Sequence, residues 1–445
     1  MKNIQRVIEQ IENNIRFFKS NKVLNFVKGI FWAIFGEVIG RGSSLLAIFF
    51  ASQMLGAIGF GQFNMIKSTI GVLSVISGLG LSITTTYSVA KYFRNELKIT
   101  GEIIALCNVV AISIGIVIAT LLFLLAEPIA EHILLDVNLK NALRIGSITV
   151  LIGSIIGVAS GALAGFGNFR DLAFISLLEG VLTLISTVCL IYKYEVEGAI
   201  LGIVISQLVK LLVIHYKFKK CCNSFKIVID YSNLKRHINI LWAYSIPAFL
   251  CAFMYGPAIW LLNLIMISQP DGYKVLGVIS AADQWKTIVI FVPGAFGTFF
   301  FPLLANLRSS SPHASYIRSA IINIFSQLMI ALIIAIPIVL LKSIIVSFYG
   351  ATYEDLSLVI PIIALTAVFQ VIGNAGGNAL MTNSNIWPNF LINLIWAILL
   401  VGFGYVLIGK YGLIGVAYSY LFATLVHSAL VLYMSIYSKS QVIKS

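Results

Sequence analysis

Seven ionisable side chains interrupt stretches of this 445-residue chain that are otherwise almost wholly apolar: Glu37, Arg41, Lys67, Glu179, Lys210, Asp283 and Lys286. In hydrocarbon such a residue costs roughly 2.5 to 3.5 kcal/mol even on insertion scales, so it faces a wet cavity, pairs, or snorkels to the surface. Glu37 and Arg41 stand four apart and Asp283 and Lys286 three apart, so each pair shares one helical face. Neutral residues would insert more cheaply, and the two pairs therefore point to a polar cavity. Lys67 lies in a stripe with Asn64, Ser68, Gly71, Ser74, Gly78 and Ser82, spaced by threes and fours. Close helix packing accounts for the small residues of such a stripe but not for a lysine. Arg41, Lys67 and Lys286 would offer an anion one planar fork and two mobile point charges. Glu37, Asp283 and Glu179 are the candidates for coupling to an ion or for gating. Glu179 stands alone in its stretch, and Lys210 is placed to snorkel.

Carbohydrate recognition needs amides for hydroxyl groups and aromatic faces for sugar rings. Gln370, Asn374 and Asn378 recur on one apolar stretch and Asn389, Asn393 and Trp396 on the next, with Tyr244, Tyr255 and Trp260 earlier. Interhelical hydrogen bonds and interfacial aromatic belts explain many such residues singly. Together, Asn374, Asn378, Asn389, Asn393 and Trp396 form a candidate glycan-facing wall.

The elements that must position these groups follow from composition. The chain is 59% hydrophobic and 11% charged, with a mean hydropathy of +0.97, whereas a soluble domain carries about a quarter charged residues. About twelve apolar runs, each long enough to cross a bilayer as a helix, recur between residues 30 and 435. They do not alternate as barrel strands would. The expectation is an all-α membrane protein of about twelve spans. The net charge of +13 is topological: most Lys and Arg fall in alternate loops, with a cluster at Lys217, Lys219, Lys220, Lys226, Lys235 and Arg236. The positive-inside rule then puts both termini in the cytoplasm and removes nucleic acid as a partner. Residues 1–29 read as a cytoplasmic amphipathic segment, 217–238 as a basic linker and 437–445 as a tail. No metal-ligand spacing, phosphate loop or catalytic triad stands out, and the five cysteines read as free thiols. Transport rather than catalysis is the function class left.

The chain also resembles itself. A shift of 216 residues places Gly61 on Gly277, Gly78 on Gly294 and Gly161 on Gly377. An even number of spans per half gives parallel repeats, here 30–216 and 239–436, with cargo passing between them. The same shift sets Lys67 against Asp283, and the pair is expected to close one side across the two halves. Three segments carry a resemblance to a known family: LG…FGQFN…GLGLS over Leu55–Ser82, GVISAADQW over 277–285, and the Pro293…Phe301-Pro302 ending. They resemble the polysaccharide-export branch of the multidrug/oligosaccharidyl-lipid/polysaccharide (MOP) superfamily, and within it the O-antigen flippases (Wzx-like). The resemblance implies a MATE-like fold of two six-helix lobes in a bacterial inner membrane. It implies movement of an undecaprenyl-pyrophosphate-linked oligosaccharide from the inner to the outer leaflet by alternating access, with no cofactor and with coupling to H+ or Na+. It implies contact with membrane lipid, O-antigen polymerase and chain-length machinery, by a monomer. The alternative is a multidrug cation antiporter of the same superfamily, whose cargo would favour an acidic, aromatic lumen.

Overall fold

The computed structural model describes residues 21–310, 313–381 and 387–437, with some side chains inside helices, those of Glu37 and Asn378 among them, outside the described set. The amphipathic segment and the tail therefore lie largely or wholly outside the described residues. The described chain is helical almost throughout, and no strand occurs in it. In lipid, backbone N–H and C=O groups must be satisfied internally, and a helix does this within one segment. In chain order the helices are α1 (Asn21–Gly78), α2 (Leu81–Tyr92), α3 (Leu97–Leu124), α4 (Lys140–Gly165), α5 (Phe169–Ser224) and α6 (Ile246–Phe253). Then follow α7 (Tyr255–Ile267), α8 (Gly272–Ser310), α9 (His313–Leu340), α10 (Lys342–Tyr349), α11 (Leu356–Met381) and α12 (Trp387–Tyr437).

Eight stretches among the described residues are long and apolar enough to cross a membrane, fewer than the twelve separate runs expected. Three of the eight run through a sharp break: α1 at Gly56 (φ 64°), α5 at Glu195 (φ 47°) and α12 at Gly412 (φ 53°). Positive φ suits glycine and strains a side-chain-bearing residue such as Glu195 by roughly 1–2 kcal/mol. The arms of α5 lie antiparallel about this break. Thr183 Oγ1 donates to Ser206 Oγ (2.9 Å), Lys210 Nζ meets Glu179 Oε2 (2.7 Å), and Lys217 Nζ meets Asp171 Oδ1 (2.7 Å). In α12 the pairing of His427 with Asn393 (3.1 Å) ties the arms in the same way. The α5 helix continues to Ser224, so the start of the basic linker is helical.

Helices α1–α5 pack chiefly on one another, and α7–α12 do likewise, with α8 against α1 as the main junction. Within the first group, α1 and α5 touch backbone to backbone where Gly40 meets Gly180. The approach to the second group stays on the first. His237 Nε2 meets Glu102 Oε2 at 2.6 Å, Thr84 Oγ1 bonds Ser245 Oγ at 2.6 Å, and the rings of Tyr87 and Tyr244 stack at 4.3 Å. Sequence spacing carried no signal for the Glu102–His237 pair, whose partners are 135 residues apart.

The two groups are joined most tightly at the end that carries Gly56. A Cβ on Gly61 would collide with the Tyr273 carbonyl, and one on Gly277 with the Ala57 carbonyl, so only glycine permits this crossing of α1 and α8. Around it, Gln53 donates to the Phe348 carbonyl, Tyr353 to that of Ser52 (3.0 Å) and Tyr273 to that of Leu134 (2.6 Å). Burial pushes the Tyr353 phenol above its ordinary range, so it stays a neutral donor. One apolar core then runs through both groups, from Phe60, Phe63 and Met65 to Leu262, Leu276 and Ile360.

Candidate functional site

Two cavities flank the first arm of α1, and its residues Ser44 and Ile48 line both. The one on the α8 side, about 380 Å3, is lined by Arg41, Tyr255, Asp283, Lys286, Phe291 and Gln370 among others. Lys286 Nζ lies 2.6 Å from Asp283 Oδ1 and 4.7 Å from the centre of the Tyr420 ring. Its side chain is only 6% exposed, against 35% for Asp283. The lysine is thus neutralised from the side and capped by a ring, and Asp283 Oδ1 is engaged with it. The Arg41 guanidinium sits 5.5 Å from the centre of the Phe291 ring. Tyr255 stacks on Trp396 almost parallel, at 5.1 Å and 6°.

The cavity on the α5 side, about 270 Å3, is lined by Ser44, Phe63, Lys67, Glu179, Thr183 and Thr187 among others. Lys67 is exposed to it and carries no ion pair or hydrogen bond among the described residues. Glu179 is held by Lys210 across the α5 hairpin. The buried Thr187 hydroxyl has no partner among the described residues. Near Lys67, Trp260 donates to Thr69 (3.0 Å) and Asn263 to Ser68 (3.2 Å), tying α7 to the second arm of α1.

The residues singled out by sequence are sorted by this geometry. Arg41, Asp283 and Lys286 share one cavity, and Lys67 and Glu179 the other. Three expectations are corrected. Asp283 pairs with Lys286 on its own helix rather than with Lys67. Glu179 is not alone, and Lys210 does not snorkel, because each satisfies the other at 2.7 Å. Of the candidate glycan wall, Asn393 is engaged with His427, and Asn374 and Asn389 are not in the lining of these two cavities. Trp396 is buried behind Tyr255. The side chains of Glu37 and Asn378 lie outside the described residues. Gln370, one turn before Asn374 on α11, is the amide that lines the α8-side cavity. Among the described residues no group of three or more His, Cys, Asp or Glu side chains is placed to hold a metal.

A family model described as polysaccharide biosynthesis protein matches residues 26–308, more than half of the chain. The chain belongs to that family. The match runs through α1–α5 and most of α8, and so takes in the residues of both cavities apart from Gln370. The fold of the chain is similar to that of MOP-superfamily transporters. The structure is similar to an inward-facing MATE-family multidrug resistance transporter at TM-score 0.76, with 14% identity over 88% of this chain and 93% of that one. The corresponding scores for an outward-facing MATE transporter are 0.65, 16%, 92% and 94%. A MOP superfamily transporter from Pyrococcus furiosus, described as having a binding pocket of reverse polarity that suggests a different function, scores 0.67 with 15% identity over 92% and 95%. At these identities the likeness is of fold alone. In sequence, the chain is 20% identical over 171 residues to the EPS I polysaccharide export inner membrane protein EpsE of Ralstonia nicotianae, covering 38% of this chain and 39% of the relative. The protein is a multi-pass membrane protein of the polysaccharide biosynthesis family, with a fold similar to that of MOP-superfamily transporters.

Proposed function

We propose that this transporter moves an anionic lipid-linked oligosaccharide, of the undecaprenyl-pyrophosphate class, from the inner to the outer leaflet. One observation carries the reading. The two acids that line the cavities are each bound by a lysine, Asp283 by Lys286 and Glu179 by Lys210, while Lys67 faces its cavity without an ion pair among the described residues. Burying an unpaired pyrophosphate in a low-dielectric medium costs several kcal/mol or more, and a cavity with surplus positive charge offsets that cost. The lipid tail needs no such help and stays in the bilayer. Membership of the polysaccharide biosynthesis family and the similarity to an EPS export protein support the same cargo class.

The transport cycle rests on the architecture. Each of the three broken helices supplies two spans, and with α7 and its approach the eight stretches become twelve, six on either side of the linker. Alternating access then rocks residues 30–216 against 239–436 about a shared cavity. In this reading both termini lie in the cytoplasm of a bacterial cell, the Gly56 end faces outward, and that end is closed. Glu179 and Asp283 are the described acids available for coupling to an ion gradient.

The rival reading, a multidrug cation antiporter, is favoured by the fold likeness to MATE transporters and by the aromatic lining of Tyr255 and Phe291 beside Asp283. Reconstituted protein separates the two. In vesicles carrying a fluorescent undecaprenyl-pyrophosphate oligosaccharide on one leaflet, wild-type protein is expected to expose it on the other, Lys67→Glu to abolish this and Lys67→Arg to retain it. Extrusion of tetraphenylphosphonium with no movement of the lipid-linked glycan would assign the protein to the antiporters.

A further inference from the structure

The mechanism above uses charge and leaves Tyr255 unexplained. This residue is the first of α7, directly after the turn at Met254 that ends α6, and it is 47% exposed. One face of its ring is covered by Trp396, which is itself 8% exposed and lies outside the cavity lining. The near-parallel stack fixes the ring plane, so a ligand meeting its free side finds a flat apolar surface whose ordering is already complete. Around it, Gln370 brings an amide, and Asp283 keeps Oδ2 outside its bond to Lys286. Arg41 and Lys286 line the same cavity.

A flat aromatic face bordered by an amide and a carboxylate oxygen fits a pyranose ring. The axial C–H groups of one sugar face lie on the ring, and the equatorial hydroxyls reach outward to planar hydrogen-bonding groups. A planar organic cation would also stack, but here it would lie beside Arg41 and Lys286, with Asp283 already bound to the lysine.

We propose that the exposed face of Tyr255, backed by Trp396, is a stacking subsite for the sugar that directly follows the pyrophosphate, with Gln370 and Asp283 Oδ2 taking its hydroxyls. The proposal rests on the anionic lipid-linked glycan as cargo and adds where the glycan is read. It places sugar selection on α7, α11 and α8, apart from Lys67 on the second arm of α1.

The test compares two probes on full-length protein in nanodiscs: undecaprenyl pyrophosphate, and the same lipid bearing one N-acetylglucosamine. Wild-type protein is expected to bind the glycosylated probe roughly three- to tenfold more tightly, the range of one aromatic stacking contact. Tyr255→Leu is expected to erase that preference while the bare probe binds as before, and Tyr255→Phe to keep it. Equal weakening of both probes by Tyr255→Leu would make the residue a packing element and overturn the proposal, as would a preference that survives the change. Binding of neither probe by wild-type protein would remove the cargo reading and this subsite with it. A preference lost in Tyr255→Leu alongside undiminished Lys67-dependent binding of the bare probe would leave both standing.

Discussion

Removing Lys210 tests the electrostatic argument most sharply, because the residue lines neither cavity itself and acts only through the acid it holds. Its ammonium holds Glu179 at 2.7 Å, with side-chain exposures of 20% and 27%. Lys210→Met keeps length and apolar volume but frees a carboxylate in the cavity that Lys67 faces. Taking one partner from a fully buried pair costs about 3–5 kcal/mol. With roughly a quarter of each side chain wet, about 2 kcal/mol is a fair share, near thirtyfold in an equilibrium constant. Glu179 recovers that energy by turning to Lys67, and the cavity loses its surplus cation. Binding of undecaprenyl pyrophosphate by Lys210→Met protein in nanodiscs is therefore expected to fall by about ten- to thirtyfold. The double variant Lys210→Met/Glu179→Gln has neither charge and is expected to bind within a few fold of wild type, while Glu179→Gln alone is not weakened. Elution as a monodisperse protein controls for misfolding. Loss of binding in the double variant equal to that in the single one would refute the argument, since the defect would then be structural rather than electrostatic.

Three further outcomes follow from the same geometry. Asp283→Asn leaves the buried Lys286 ammonium with a neutral amide oxygen and the Tyr420 ring but no counter-charge, and is expected to lower stability by about 3 kcal/mol; thermal unfolding of Asp283→Asn/Lys286→Met should recover most of the loss. Gly277→Ala drives a methyl group into the Ala57 carbonyl and is expected to prise α8 from α1 at the Gly56 end, shifting the closed population roughly tenfold for each 1.4 kcal/mol of strain. Spin labels at Gln53 and Phe348 would report the longer distance. Glu102→Ala removes the carboxylate that holds His237, and limited trypsin digestion is expected to cut faster at Lys226 and Arg236, both exposed in the linker.

Much of this architecture was legible from local pattern. Apolar run length identified a helical membrane protein, and the Asp283–Lys286 pair needed only the three-residue spacing of one helix. The Glu179–Lys210 pair was not legible, because 31 residues separate the partners and their meeting depends on the register of a hairpin turning at Glu195. The Lys67–Asp283 pairing failed for a different reason. Repeat equivalence relates positions by symmetry but does not bring them into contact. Equivalent glycines meet where α1 and α8 cross, yet Lys67 and Asp283 lie six residues further along, about 9 Å at 1.5 Å per residue. There Asp283 turns to Lys286 on its own helix, while Lys67 faces its cavity without an ion pair among the described residues. Amides between helices serve hairpin closure as readily as ligands, and Asn393 does so with His427.

The glycine crossing has a further consequence. Gly61 lies against Tyr273 and Gly277 against Ala57, and both contacts relate by the same 216-residue shift, so the exchange is reciprocal. A surface that meets its own equivalent in this way is self-complementary, the defining property of an isologous dimer interface. The two halves of this chain then recognise each other as two copies of one protein would. The linker then contributes effective concentration rather than geometry.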